Sequence, residues 1–338
     1  HAYKSYDLLP PHMTCHTARD GAADVLQIFA LARAFYVTAE AFVPGRFDRN
    51  ALHLGPRHTA TLTFTPSDPG ATPIFTLREL HSATYISGGN AMTDFSYQLY
   101  SSRDFGPLTE TLGMLAALGY AHVEGYGPVY EDLDATKQAL DETGLTMPSG
   151  HFAMDMVAGD PAKVIQIAKA LDLRKIVVPF LMPTDRPTNA AGWSSFGRRL
   201  AAAGKPLQDA GFDFGWHNHD FEFTALPTGE LPIDLILENN TVGFEFDVAW
   251  AAVAGKDPAD VIAQYGSRVI AAHVNDRAPK GENADEDGWA DAGHGTLDWP
   301  GHFSALKAAG CDLFIIKHDK PADDNRFASR ALAYMTSL

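Results

Sequence analysis

The stretch Gly211–Phe223, GFDFGWHNHDFEF, decides the fold. Its apolar part, Phe212 to Trp216, stops abruptly at His217, Asn218, His219, Asp220 and Glu222. A strand puts residues i and i+2 on one face, so a strand over 213–219 projects His217 and His219 together. Imidazoles placed this way hold a metal ion, hydrogen-bond a hydroxyl or move a proton near neutral pH. The alternative is a pair of hydrogen-bonded histidines in an ordinary loop. It is weakened because similar polar clusters end several later apolar runs.

Outward from this stretch, short apolar runs alternate with longer amphipathic segments, the pattern of a parallel sheet with crossover helices. Eight strands are expected: Phe95–Ser101, His122–Tyr126, Thr146–Phe152, Lys175–Phe180, Asp213–His219, Val242–Asp247, Val269–Asp276 and Asp312–Asp319. Helices are expected after each, over Pro107–Leu118, Glu131–Thr143, Pro161–Leu171, Ala190–Ala210, Pro232–Glu238, Pro258–Tyr265, Trp299–Ala309 and Asn325–Thr336. Eight such units in about 245 residues predict a (β/α)₈ barrel, whose active sites sit at the C-terminal strand ends. The histidines obey that rule: His151, His217, His219, His273 and His318 fall at predicted strand ends and His294 in the loop after strand seven, leaving only His122 and His302 elsewhere. A doubly wound open sheet is the alternative, but no GxGxxG follows the first strand.

The chain has 338 residues, 46% hydrophobic and 20% charged, enough for one large globular domain or two. Its net charge of −16 is uneven: residues 1–91 hold 7 Lys+Arg and 7 Asp+Glu, leaving 26 − 7 = 19 against 42 − 7 = 35 in residues 92–338. A nucleic-acid partner is not expected, because phosphates are bound through clustered Lys and Arg. Cys15 and Cys311 build no disulfide framework or metal knuckle, which fits a reducing cytoplasm. The early apolar run Val25–Val37 is shorter than the roughly 20 residues a bilayer requires, and no signal peptide precedes it, so no membrane partner is expected.

Residues 1–91 have a different texture, with scattered prolines and six of the 14 histidines, none at ligand spacing. A helix over Asp20–Phe42 and strands over Thr59–Phe64 and Pro73–Leu77 are expected. The segment is read as a miscalled leader, lying upstream of a domain that opens at Met92, with Gly88-Gly89 the translation of a purine-rich ribosome-binding sequence. A small accessory domain is the competing reading.

Two later strand ends carry further polar pairs. Glu245 and Asp247 share one face in GFEFDVAW, and a carboxylate among such aromatic neighbours needs a partner or a metal. His273 and Asn275 share one face in VIAAHVND. A His/Asp/His trio from consecutive strands converges in a barrel mouth, and this ligand type suits Mn²⁺, Zn²⁺, Co²⁺ or Fe²⁺.

With GFDFGWHNHDFEF, FEFDVAW, AGKDP, Arg268 before HVND, and AGHGTLDW before LFIIKHDKP, the chain from Phe95 to Leu338 resembles the sugar phosphate isomerase/epimerase family, a xylose-isomerase-like TIM-barrel group. The resemblance implies a divalent metal at the ends of strands five to eight, Mn²⁺ first with Zn²⁺, Co²⁺, Fe²⁺ or Mg²⁺ as alternatives, and sugar or polyol substrates that chelate it. It places ligands at His217, Asp247 and His273. At the fourth ligand position, normally glutamate, this chain has Lys317, and Asn275 stands where relatives have lysine. The two-glutamate epimerisation mechanism therefore does not transfer.

Lys317, His219 and Glu124 are the candidate proton-transfer residues, with Lys317 expected to be a base of lowered pKa beside the metal. His151, Trp250, Asn275 and His294 are candidate substrate contacts, the last on a Gly293-flanked loop able to close over the mouth. Asp220 and Glu222 are read as loop-solvating carboxylates. The expected function is metal-dependent isomerisation or epimerisation by proton transfer next to a carbonyl. A lyase or dehydratase on a keto-sugar or inosose and a degenerate sugar-binding barrel are the alternatives. No phosphate cradle is evident, and a homo-oligomer is left open.

Overall fold

Gly21 takes φ of +63° and, with Ala22, closes a two-residue hairpin in which Asp20 faces Ala23. Glycine at the first turn position suits the tight turns that match strand twist. Beyond it Leu26 and Ile28 are buried, the period of two of a half-buried strand. The computed structural model describes residues 13–30, 34–41, 43–54, 58–71, 75–78, 94–238 and 241–338. The chain divides into two compact units, residues 1–91 and 92–338.

The first unit is all β. Strands Met13–Asp20, Ala23–Ala30, His58–Pro66 and Gly45–Phe47 form one sheet, and Leu52–Leu54, Ala34–Ala41 and Phe75–Arg78 a second. Leu26, Ile28, Val37, Ala39, Leu54, Leu62 and Phe64 make its apolar core. The helix expected over Asp20–Phe42 is thus corrected to two strands, because the Asp20-Gly21 turn and the alternation outweigh the apolar content. The expected strands near Thr59 and Phe75 are present. Met92 and Gly88-Gly89 lie outside the described residues.

The second unit is a closed, eight-stranded parallel barrel. Its strands are β1 (Phe95–Gln98), β2 (His122–Gly125), β3 (Thr146–His151), β4 (Lys175–Val178), β5 (Asp213–His217), β6 (Gly243–Asp247), β7 (Val269–Val274) and β8 (Phe314–Ile316). Each pairs with the next in sequence, and β8 closes on β1 through Phe314 beside Phe95. Outward residues pack under helices: Trp216 lies 5.3 Å from Phe196 of helix Ala190–Asp209, and Phe244 lies 5.9 Å from Tyr265 of helix Pro258–Tyr265. A Cβ on Gly204 would stand 2.0 Å from the Phe214 ring, so only glycine lets the long helix seat on β5. Asp132, Asp160, Asn189, Asp257, Asp298 and Asp323 each cap a crossover helix through a side-chain oxygen, which fixes where the loops end.

The expected helices are present within one or two residues of their predicted limits, joined by two short unanticipated ones, Met154–Gly159 and Val248–Val253. Most strands end earlier than expected. β5 stops at His217, β7 at Val274 and β8 at Ile316, so His219, Asn275 and Lys317 stand just past the strand ends. Alternation continues to place side chains inward: the outward Phe244 and Phe246 alternate with Glu245 and Asp247, which are completely buried on the axis side.

Candidate active site

Asp247, at the end of β6, organises the mouth. Its Oδ1 accepts from the backbone N of Trp250 at 3.0 Å and so caps the helix Val248–Val253. Its backbone is stapled to the loop after β5 by Asn218: the Asp247 N donates to Asn218 Oδ1 at 2.9 Å, and Asn218 Nδ2 donates to the Asp247 carbonyl at 3.2 Å. Oδ2 faces the barrel axis. Lys317 Nζ donates to it at 2.8 Å, and His217 Nε2 and His273 Nδ1 each lie 3.5 Å away. These atoms of His217, Asp247 and His273 lie within 4.8 Å of one another.

Each imidazole turns one ring nitrogen toward that oxygen. His217 Nδ1 donates to the Pro179 carbonyl at 3.3 Å and His273 Nε2 to Glu124 Oε1 at 2.9 Å, which leaves His217 Nε2 and His273 Nδ1 buried without hydrogen-bond partners. Burial alone would raise the Asp247 carboxyl, but Lys317 and the two histidines hold it well below the usual carboxylate range. For Lys317, burial acts to lower the pKa, and Asp247 and Asp319 (3.3 Å) more than offset it. With no ion beside it the ammonium is favoured, because its two carboxylate neighbours outweigh burial; the base of lowered pKa was expected beside a bound metal. Asn275 donates to Asp319 Oδ2 at 2.9 Å and so reaches Lys317 only through that carboxylate.

Below this layer three further side chains, Glu124, His151 and Glu245, converge on the other ring nitrogen of His273 or on one another. Glu124 Oε1 lies 2.9 Å from His273 Nε2 and 3.2 Å from His151 Nε2; Glu245 Oε2 lies 2.6 Å from His151 Nε2 and 3.3 Å from His273 Nε2. Ser149 Oγ donates to Glu124 Oε2 at 2.7 Å, and Gln98 Nε2 lies 3.4 Å from Glu124 Oε1. Burial and the Glu124 charge push Glu245 well above the ordinary carboxylate range. Burial acts the same way on Glu124, but His151 and His273 hold it low. Burial opposes the charged form of His273 as well, yet Glu245 and Glu124 bring it up to about 9.

Above the mouth, His219 packs 5.0 Å from Trp250, 5.0 Å from Phe180 and 4.9 Å from His217, with its Nδ1 buried and unpartnered. Trp250 also lies 4.8 Å from Trp289 and 5.9 Å from Lys317 Nζ, an aromatic wall beside the ammonium. Glu222 is completely buried: it accepts from Trp216 Nε1 at 2.9 Å and from the His219 N at 2.8 Å, and so holds the loop that carries His219. That corrects its reading as a solvated carboxylate.

His217, Asp247, His273, Lys317, His219 and Trp250 therefore come together as expected, with Glu124 and His151 one layer deeper. His294 does not join them: it is exposed and its ring lies 6.4 Å from Tyr334. Sequence reasoning missed Gln98 and Ser149, named Asn218 without a role, and gave Glu245 only the need for a partner or a metal. Glu245 had a readable signal, since it stands two residues before Asp247 on the same inward face.

A family model described as a xylose isomerase-like TIM barrel matches residues 112–338. The chain belongs to that family. An Ig-fold domain model matches residues 8–83, in line with the two-sheet N-terminal unit. Among solved structures, this xylose isomerase-like barrel is similar to a sugar phosphate isomerase/epimerase from Parabacteroides distasonis ATCC 8503 (22% identity, 75% of this chain and 96% of that one, TM-score 0.62). It is also similar to the IOLI protein with a bound zinc atom (15% identity, 72% and 98%, TM-score 0.57). Both likenesses speak to the fold. By sequence the chain is 25% identical over 190 residues to the rhizopine catabolism protein MocC of Rhizobium meliloti, a match spanning 50% of this chain and 58% of MocC. Among the described residues, no helix of this xylose isomerase-like barrel or of the N-terminal unit is long and apolar enough to cross a membrane.

Proposed function

We propose that this protein is a divalent-metal-dependent isomerase or epimerase that moves a proton next to a carbonyl of a sugar or polyol. The observation that carries the reading is the pair of buried, unpartnered imidazole nitrogens, His217 Nε2 and His273 Nδ1, converging with the Asp247 carboxylate at the barrel mouth. Two nitrogens and one carboxylate oxygen fit a first-row divalent ion, with Mn²⁺ as the leading candidate and Zn²⁺, Co²⁺, Fe²⁺ or Mg²⁺ as alternatives. A zinc atom bound in the structurally similar IOLI protein supports that choice of ligand chemistry. Such an ion acts as a Lewis acid on a carbonyl oxygen.

The chain's own groups divide the remaining work. The Lys317 ammonium, buried and fixed between Asp247 and Asp319, donates to the substrate oxygen on which negative charge develops. The unpartnered Nδ1 of His219 takes the proton from carbon and returns it to the neighbouring carbon; epimerisation needs the proton delivered to the opposite face of the same carbon by a second donor. Trp250 and Phe180 flank His219 and shield that transfer from water. A panel of keto-sugars and inososes in deuterated water tests the reading: wild type should wash deuterium into the carbon next to the carbonyl, and His219→Ala should not. Incorporation undiminished in His219→Ala sinks the assignment of the base, and no incorporation with any substrate sinks the reaction class. The second reading, a dehydratase, draws on the same ammonium, which can protonate a departing hydroxyl. Loss of water from the panel substrates distinguishes it.

We also propose that residues 1–91 are a genuine Ig-like accessory domain translated with the barrel, supported by its apolar core and the Ig-fold match. Peptide mapping of natively expressed protein should find tryptic peptides before Met92. Their complete absence would return the segment to a leader.

A further inference from the structure

The four deep side chains form a closed ring of alternating nitrogen and oxygen. Its four N···O sides measure 2.6, 3.3, 2.9 and 3.2 Å, running from His151 Nε2 through Glu245 Oε2, His273 Nε2 and Glu124 Oε1 back to His151. Each Nε2 carries at most one proton, so at most two of those four contacts are N–H···O hydrogen bonds at any moment. Glu245 Oε1 is buried with no hydrogen-bond partner, as is Gln98 Oε1. A single cation at the centre satisfies all four sides at once. Around an ion with bonds of about 2.0–2.1 Å, tetrahedral ligands stand about 3.4 Å apart, so the ring needs to open by only a few tenths of an ångström on most sides.

We propose that Glu124, His151, Glu245 and His273 are a second divalent-cation site, distinct from the His217–Asp247–His273 trio and one layer deeper in the barrel. Two imidazoles and two carboxylates form a closed four-ligand set for Zn²⁺ or a comparable first-row ion. The supporting groups are those expected around a metal site: Ser149 fixes the second oxygen of Glu124, and the Gln98 amide sits against both Glu124 Oε1 and His151 Nδ1 (3.4 and 3.5 Å).

His273 belongs to both sets, turning Nε2 to the deep ring and Nδ1 to Asp247. A neutral imidazole offers one lone pair at a time, so the two sites exclude each other. An ion in the deep site moves the His273 proton to Nδ1, where Asp247 Oδ2 waits 3.5 Å away. Lys317 already supplies a positive charge to Asp247, whereas no lysine or arginine forms an ion pair with Glu124 or Glu245 among the described residues. The deep site is therefore where an ion rests when no substrate is bound. The proposal concerns where the ion sits and is independent of the reaction assigned above.

The test is zinc content and zinc position. Full-length protein, stripped with chelator and dialysed against Zn²⁺, should hold one equivalent, and His217→Ala, which removes only a ligand of the upper trio, should still hold one. Glu245→Gln in the His217→Ala background should lose it. Should that double variant fail to fold, anomalous diffraction at the zinc edge on wild type decides. A peak bonded to Glu245 Oε2 and His151 Nε2 upholds the proposal; a peak only beside His217 and Asp247, or none, overturns it. Loss of zinc in His217→Ala alone also overturns it. A deep-bound ion without turnover of any sugar would refute the proposed reaction and leave this site standing.

Discussion

Lys317 and Asp247 are a buried ion pair, 2% and 0% exposed, and each is costly without the other. Lys317→Met should lower stability by about 3–5 kcal/mol in urea unfolding, because it strands a buried carboxylate. Added Mn²⁺ should recover part of the loss by taking the ammonium's place on Asp247. Turnover should fall about 100-fold or more, the usual effect of removing one group aimed at developing charge. His219→Ala should lower kcat by about 100- to 10,000-fold while leaving metal content unchanged, since His219 is a member of neither ligand set. At this scale the sequence showed the upper trio plainly, because each member ends a patterned strand. The state of Lys317 was not legible: it depends on two carboxylates, one from β6 and one two residues on, acting together against burial. The deep ring was hidden for a related reason. Glu124 and His273 touch across 149 residues of chain, and no local pattern reports that distance.

Asn218 shows how an element is held to its neighbour by one side chain. It exchanges both of its amide functions with the Asp247 backbone, closing the gap where β5 has ended and β6 is about to turn. Asn218→Ala should cost about 1–3 kcal/mol by leaving a buried N–H and C=O unpaired, and should lower turnover through displacement of Asp247, with metal content kept in the deep site. Thermal unfolding, turnover and metal analysis of the variant check these effects. The strands and helices of the barrel were legible from alternation alone. Their strand ends were overestimated because inward polar residues continue the period of two after the ladder has stopped, as His219 after His217 shows. In the first unit the apolar run around Val25–Val37 reads as a helix by composition; only the Gly21 turn with its positive φ exposes the hairpin.

At the scale of the whole molecule, buried titratable groups set a pH window. His318 is completely buried, and burial lowers its pKa from 6.5 to about 4, although Glu286 and Asp291 pull the other way. A depressed pKa favours the neutral ring in the fold, so its contribution is full above about 6.5 and is lost as pH falls through about 4. The difference corresponds to about 3 kcal/mol. His318→Gln keeps an acceptor for the Lys320 N, now bonded to Nδ1 at 3.1 Å, and should flatten the loss of stability between those pH values. Urea midpoints measured from pH 4 to 7 for both proteins test this; identical slopes would remove His318 from the account. The barrel has its own closed sheet and core, so residues 92–338 made alone should unfold in one cooperative transition.

The closure of β8 onto β1 also sets an order in time. Phe314 must sit beside Phe95 before the first strand has both neighbours, so nearly the whole barrel must leave the ribosome before its sheet is complete. Until then β1 exposes an unpaired edge, an invitation to pair with another nascent chain. On the proposal that residues 1–91 are translated with the barrel, the Ig-like unit has no such wait. Its last described strand ends at Arg78, and it can fold while the barrel is still being synthesised.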